Sequence, residues 1–218
     1  MPWGTNYTFL VWIDAGPGKY LRAIYKPRDG ERPLRDFPDG TLYKREHATF
    51  LLSRILGWPN VPFTLVREGP YGVGSVQLYV ETDPEVTYFD MAADREDELT
   101  RFAVFDLLVN NADRKAGHCL LGSDGTLWSI DHGLTFHTVF KVRTVMLEYW
   151  GRTIPSDALI DLESLLGRLE APDTDALVFA DLIHQREERA LTARIRSMLS
   201  DPELPSLDPY ENVPWPFV

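Results

Sequence analysis

The stretch Leu107–Phe136, LLVNNADRKAGHCLLGSDGTLWSIDHGLTF, constrains this chain more than any other. An apolar helical run ends near Asn111, and the chain then passes Asp113, Lys115 and His118. "CLLG" reads as a strand, "SDG" as a turn and "TLWSI" as a returning strand. Asp131 follows directly. The ends of a hairpin are neighbours, so Asp113, His118 and Asp131 are expected close together. Two carboxylates and an imidazole in one cleft suit a hard divalent ion. Mg²⁺ is the natural occupant, since it prefers oxygen ligands and shares its remaining positions with water and substrate phosphates.

The segments around this hairpin divide in two. "YTFLVWI" and "KYLRAIYK" read as a strand pair around the turn "DAGPG", and "VPFTLVREG" and "GSVQLYVE" as a second pair. Between the pairs lie a Pro- and Gly-rich loop, Pro27–Gly40, and a helix over Leu42–Gly57 with Ala48, Leu51, Leu52 and Ile55 on one face. After residue 81 the pattern is mostly helical, with helices expected over Glu96–Ala112, Ser156–Leu169 and Thr174–Leu199, then an irregular tail rich in Pro whose aromatic residues can pack back onto the body. The expected division is residues 1–81 and 82–218. A hydrophobic content of 44% allows an ordinary packed core for 218 residues.

Charge and cysteine content remove several functions. A net charge of −11 argues against nucleic acid or an anionic membrane as partner. The single cysteine, Cys119, excludes an internal disulfide and a cysteine-rich zinc site, and is expected to be a buried strand residue. No stretch is long enough to span a membrane and "MPWGTNYTF" does not read as a signal peptide, so the expected compartment is the cytoplasm.

The ordered motifs resemble a protein-kinase-like catalytic centre. In that superfamily a catalytic Asp is followed two positions later by Lys and five later by a metal-binding Asn, and a short hairpin leads to a metal-binding Asp before Gly. "DRKAGH" is similar, with Asp113, Lys115 and His118 at those places, and "DHG" puts Asp131 at the last. "DR" and "SIDHGLTF" look closest to the phosphoinositide 3- and 4-kinase branch and its small bacterial relatives. His118 departs from the pattern, although imidazole also binds Mn²⁺ or a softer ion. The resemblance implies an α+β, two-lobed kinase-like fold, with an antiparallel-sheet N-lobe and a mostly helical C-lobe. It also implies a strand lysine holding ATP phosphates and a helix glutamate orienting it. Lys26 in "AIYKP" and Glu46 in "YKREHATFLL" stand at those positions. The turn covering the phosphates is placed at "WGTN", giving Thr5 and Asn6 to the nucleotide, with "DAGPG" as the other candidate.

The remaining polar residues are given plainer roles. Asn110 and Asn111 are expected to cap the helix, with Asn111 also able to support the loop. His47 and His184 read as helix residues, and His132 and His137 as loop or packing residues in preference to ligands. Arg28, Arg32 and Arg35 in the long loop either face the phosphates or solubilise it, the second reading being preferred.

Two functional classes stay open. One is an ATP- and Mg²⁺- or Mn²⁺-dependent phosphotransferase acting on an unknown protein or small-molecule acceptor, or its variant that transfers AMP. The other is a pseudokinase that senses nucleotide or serves as a scaffold. The first requires Asp131 and Lys26 within one triphosphate of each other.

Overall fold

The computed structural model describes residues 6–83 and 85–217. β1 (Phe9–Asp14) and β2 (Tyr20–Pro27) pair antiparallel. The turn between them places Gly16 and Gly18 at φ +113° and +70°, where glycine alone is unstrained. The free edge of β2 takes β4 (Gly72–Leu78), which in turn takes β3 (Thr64–Gly69), so the sheet order is β1-β2-β4-β3. A side chain at Gly74 would collide with the Lys26 carbonyl, so this glycine lets β4 approach β2 beside that lysine.

Alternation along β2 separates two faces. Ala23, Tyr25 and Pro27 are buried, while Arg22, Ile24 and Lys26 stay partly open. Leu10 and Trp12 pair with Ile24 and Arg22 and therefore belong to the Lys26 face. That face is mixed: Leu10 and Trp12 are exposed, whereas Ser75 and Gln77, the β4 partners of Lys26 and Ile24, are buried.

α1 (Leu42–Leu56) packs on β3 and β4. Its N-terminus is capped from a distance: the Glu31 carboxylate accepts from the Leu42 and Tyr43 amides at 3.1 and 2.8 Å. Gly57, left-handed at φ +85°, closes it. The expected apolar face is seated, with Ala48, Leu51 and Leu52 buried and Ile55 packed against the core.

The second lobe is helical: α2 (Tyr88–Met91), α3 (Glu96–Val109), α4 (Ser156–Glu170), α5 (Thr174–Ala180) and α6 (Gln185–Ser200). Its core gathers Leu99, Phe102 and Leu108 of α3 with Leu162 of α4 and Ile195 of α6. β5 (Cys119–Leu121) and β6 (Leu127–Ser129) form the expected hairpin, with Cys119 buried.

Two helix boundaries differ from the sequence reading. The expected helix 174–199 is broken at 181–184. His184 is extended there and caps α6, its Nδ1 accepting from the Arg186 amide at 3.1 Å while Glu187 accepts from its backbone at 2.9 Å. This local cap competes with helix continuation, so His184 is a cap and not a helix residue. α3 stops at Val109 because Asn110 turns left-handed and its amide donates to the carbonyls of His137 and Val139.

Candidate active site

β2, α1 and the segment after β6 meet at one lysine. Lys26 Nζ lies 2.5 Å from Glu46 Oε1 and 2.9 Å from Asp131 Oδ1. The other oxygen of Glu46 accepts from the His132 amide at 2.9 Å, so the glutamate joins α1 to the segment carrying Asp131. Burial works against the charge on Lys26, but Asp131 and Glu46 outweigh it and raise its pKa. Burial raises Glu46 despite Lys26. Burial also opposes the Asp131 charge, yet Lys26 and then His118 hold that carboxyl well below its usual range. The Asp131 side chain is 47% exposed, so solvent screens this pair and it contributes little to stability. Its backbone is left-handed at φ +60°, a conformation that Asp tolerates better than most residues.

His118 faces the same carboxylate, Nε2 to Asp131 Oδ2 at 3.4 Å. Its Nδ1 is 2.9 Å from the Asp113 carbonyl and 3.4 Å from the Lys115 amide. The shorter contact assigns the proton to Nδ1, donating to the carbonyl, and leaves the Nε2 lone pair towards Asp131. Burial pushes the His118 pKa down to about 4, with Asp131 opposing and Arg114 and Lys115 reinforcing the fall. A neutral imidazole and a carboxylate therefore face each other as two acceptors, the donor chemistry a divalent cation fits. Among the described residues no cluster of three or more such ligands forms, so the rest of a metal's shell would come from water and phosphate.

Asp113 and Lys115 pair with each other, Oδ2 to Nζ at 2.9 Å. Burial raises the Asp113 pKa, and Lys115 pulls it back. The Asp113 amide donates to Asn111 Oδ1 at 3.1 Å, the supporting contact expected of that asparagine. Asn6, Lys26, Glu46, Asp113, Lys115 and Asp131 all line one cleft of about 340 Å³, whereas His118 stands behind Asp131 and does not line it. Thr5 falls outside the described residues. Asp14–Gly18 do not line the cleft, whereas Asn6, Tyr7 and Thr8 do; residues 3–5 of "WGTN" lie outside the described residues. A larger groove of about 620 Å³ along α6 lies away from all these groups.

The residue that holds this arrangement together is Arg114, to which the sequence reading gave no separate role. It is fully buried, and its guanidinium grips both oxygens of Asp106 on α3 at 2.8 and 2.7 Å. It also donates to the carbonyls of His118 and Ile130 at 3.1 and 3.3 Å and to Ser129 Oγ at 2.8 Å. Both ends of the hairpin are thus tied to α3. His132 packs into this network, its Nε2 2.8 Å from Ser129 Oγ, which is the packing role expected of it. A second buried arginine, Arg45, links α1 to the Thr135 carbonyl at 2.5 Å and to Glu187 at 2.6 Å. An Asp eight residues before an Arg carries no sequence signal of its own. Only the close of α3 at Asn110 points Arg114 back along the helix.

No established family profile matches the chain. It is 37% identical to Protein Rv2133c of Mycobacterium tuberculosis, with 97% of this chain and 88% of that protein covered. Two plant proteins are also similar. Phosphatidylinositol 4-kinase gamma 4 of Oryza sativa is 32% identical over 59% of this chain and 26% of its own length. Phosphatidylinositol 4-kinase gamma 2 of Arabidopsis thaliana is 26% identical over 90% of this chain and 44% of its own length, so this chain spans less than half of either plant protein. The crystal structure of the Helicobacter pylori proinflammatory kinase CtkA aligns with a TM-score of 0.47 at 14% identity, covering 84% of this chain and 88% of that one. The sheet lobe, the helical lobe and the relatives define a protein-kinase-like protein. Within that superfamily the chain belongs to the bacterial family of Protein Rv2133c. No helix among the described residues is long and apolar enough to cross a membrane.

Proposed function

We propose that this chain is an ATP- and divalent-metal-dependent phosphotransferase. One observation carries the reading: the Lys26 ammonium bridges Glu46 and Asp131, at 2.5 and 2.9 Å, although the three residues come from separate elements. A lysine so placed neutralises phosphates, a glutamate orients it, and an aspartate presents charge to a metal. The open apolar strip of Leu10 and Ile24 on the Lys26 face suits a flat nucleobase beside those phosphates. Asp131 and His118 are the protein ligands for the metal, which when bound neutralises charge on the phosphates. Asp113 orients the acceptor hydroxyl and takes its proton as the oxygen attacks the γ-phosphorus and the bond to the β-phosphate breaks, releasing ADP. Lys115, held at Asp113, offsets charge on the transferring group.

A second reading is a nucleotide sensor that transfers nothing. It is favoured by His118, which stands where the resemblance expects Asn. Calorimetric titration with ATP and Mg²⁺, followed by ADP release, tests both. The phosphotransferase reading expects binding that Lys26→Ala weakens strongly, and Glu46→Ala less, together with ADP formation. Equal ATP affinity in Lys26→Ala overturns the assignment of the site. Binding without ADP release selects the sensor, and release of pyrophosphate in place of ADP selects AMP transfer.

A further inference from the structure

The C-terminal segment is strapped onto the catalytic loop. The Ala116 amide donates to the Phe217 carbonyl at 2.9 Å, and the Thr144 amide to the Asn212 carbonyl at 2.8 Å. The Asn212 side chain donates to the Val142 carbonyl at 2.8 Å, and Pro214 is buried. These bonds fix Trp215, between two prolines, as a wall of the cleft that holds Asp113 and Lys115. Trp215 is nonetheless 83% exposed, with only an edge contact to Phe217 at 5.3 Å between ring centres. A tryptophan has roughly 150–250 Å² to bury, and one held rigidly at a cleft mouth offers that face to a ligand.

Arg143 lines the same cleft. Its backbone is pinned on both sides, the amide to the Asn111 carbonyl at 3.1 Å and its carbonyl to the Arg114 amide at 2.9 Å. Its neighbours are neutralised, Lys141 by Asp36 at 2.6 Å and Lys115 by Asp113 at 2.9 Å. Among the described residues Arg143 forms no ion pair, although the chain carries eleven more acidic than basic groups (33 − 22). A free guanidinium on a fixed backbone is a fork for a phosphate or carboxylate.

We propose that Trp215 and Arg143 form the acceptor subsite, and that the acceptor is a small soluble hydroxyl compound bearing a flat or cyclic face for Trp215 and an anionic group for Arg143. This rests on the phosphotransferase reading for the word acceptor, but not for the binding itself. The cleft of about 340 Å³ is shared with the Lys26 and Asp131 groups that face the phosphates, which leaves room beside Trp215 and Arg143 for a small molecule only. Its wall is built by the chain's own C-terminal segment, so acceptor selection resides in residues 212–217 as much as in the catalytic loop.

The test uses the full chain and three probes that separate the two contacts: phenyl phosphate (ring and anion), benzyl alcohol (ring only) and inorganic phosphate (anion only). Binding is followed by quenching of tryptophan fluorescence, with Trp215→Phe identifying the responding residue. Phenyl phosphate is expected to bind at least about tenfold more tightly than either partial probe. Arg143→Gln should lose about tenfold, the scale of one charge-assisted hydrogen bond, and Arg143→Lys should lose less. ATP affinity should stay unchanged in both arginine variants. The proposal is overturned if phenyl phosphate binds Arg143→Gln as well as the parent, or if ATP displaces it competitively. Vesicles of neutral lipid containing phosphatidylglycerol form a further arm. If they quench Trp215 more effectively than phenyl phosphate does, the source of the anion is a lipid headgroup and the soluble assignment fails. Absence of ATP binding with intact phenyl phosphate binding sinks the phosphotransferase reading and leaves the subsite standing.

Discussion

Replacing Arg114 by methionine should be the most damaging single change in the segment 113–118, and the structure sets its size. Arg114 and Asp106 are both fully buried and joined by two hydrogen bonds at 2.8 and 2.7 Å. Methionine fills much of the volume but strands the Asp106 carboxylate without water or counter-charge. Deleting one partner of such a buried pair costs about 3–5 kcal/mol. The Ile130 carbonyl also loses its donor, at about 1–3 kcal/mol, whereas the His118 carbonyl keeps the Ile130 amide at 3.0 Å. These terms share one network and do not add fully, so about 5 kcal/mol is the working figure. For a chain of this length each kcal/mol moves the melting midpoint by roughly 2–4 °C, which gives a fall of about 10–20 °C. Circular dichroism melts of the ligand-free protein measure it. The double variant Asp106→Leu/Arg114→Met should recover most of the loss, because it removes the stranded charge as well. A single variant that melts within about 3 °C of the parent, or a double variant no better than the single, refutes the reasoning.

Three further outcomes follow from the site. Asp131→Asn should abolish the metal-dependent part of ATP binding, whereas Asp113→Asn should leave nucleotide and metal binding nearly intact while ADP formation with transfer is lost; calorimetry and a turnover assay separate the two. His118→Asn restores the usual kinase ligand and should preserve or raise Mg²⁺-dependent turnover; loss of turnover with metal binding unchanged would give the histidine a chemical role and remove the one assigned to Asp113. Cys119 is buried, and burial lifts its thiol to about 12. A raised pKa keeps the thiol protonated at every pH below that value, so a disulfide reagent should label it at pH 9 only after denaturant is added, and fast labelling of the native protein would contradict the burial.

Much of the site was legible because its residues belong to ordered motifs. Asp113, Lys115, His118 and Asp131 lie within nineteen positions on a hairpin, and a hairpin's geometry is local. Lys26 and Glu46 were placed by their order on a strand and the helix that follows, and the fold then joined them to a residue 105 positions from the lysine. Strand alternation also forecast two faces for β2, but not which would stay open, since that depends on what covers each face.

What the sequence by itself determined is most of the elements, the hairpin and the identity of the charged groups, set by short-range periodicity and turn chemistry; α2 and the break at 181–184 lay outside it. The tertiary structure alone decided the rest. Arg114 reads as one more polar residue until the end of α3 brings Asp106 against it and burial makes the pair indispensable. Arg143 and Trp215 carry no motif, and they reach the cleft only because the Thr144 and Ala116 amides donate to the Asn212 and Phe217 carbonyls and so strap residues 212–217 to the segments beside it. His184 is the local exception: it ends one helix and begins another because its ring captures the Arg186 amide two residues on, a choice an uninterrupted helical pattern conceals. Local periodicity fixes which way a side chain leaves the backbone, whereas its partner, its exposure and hence its chemistry depend on which segments the fold packs against it.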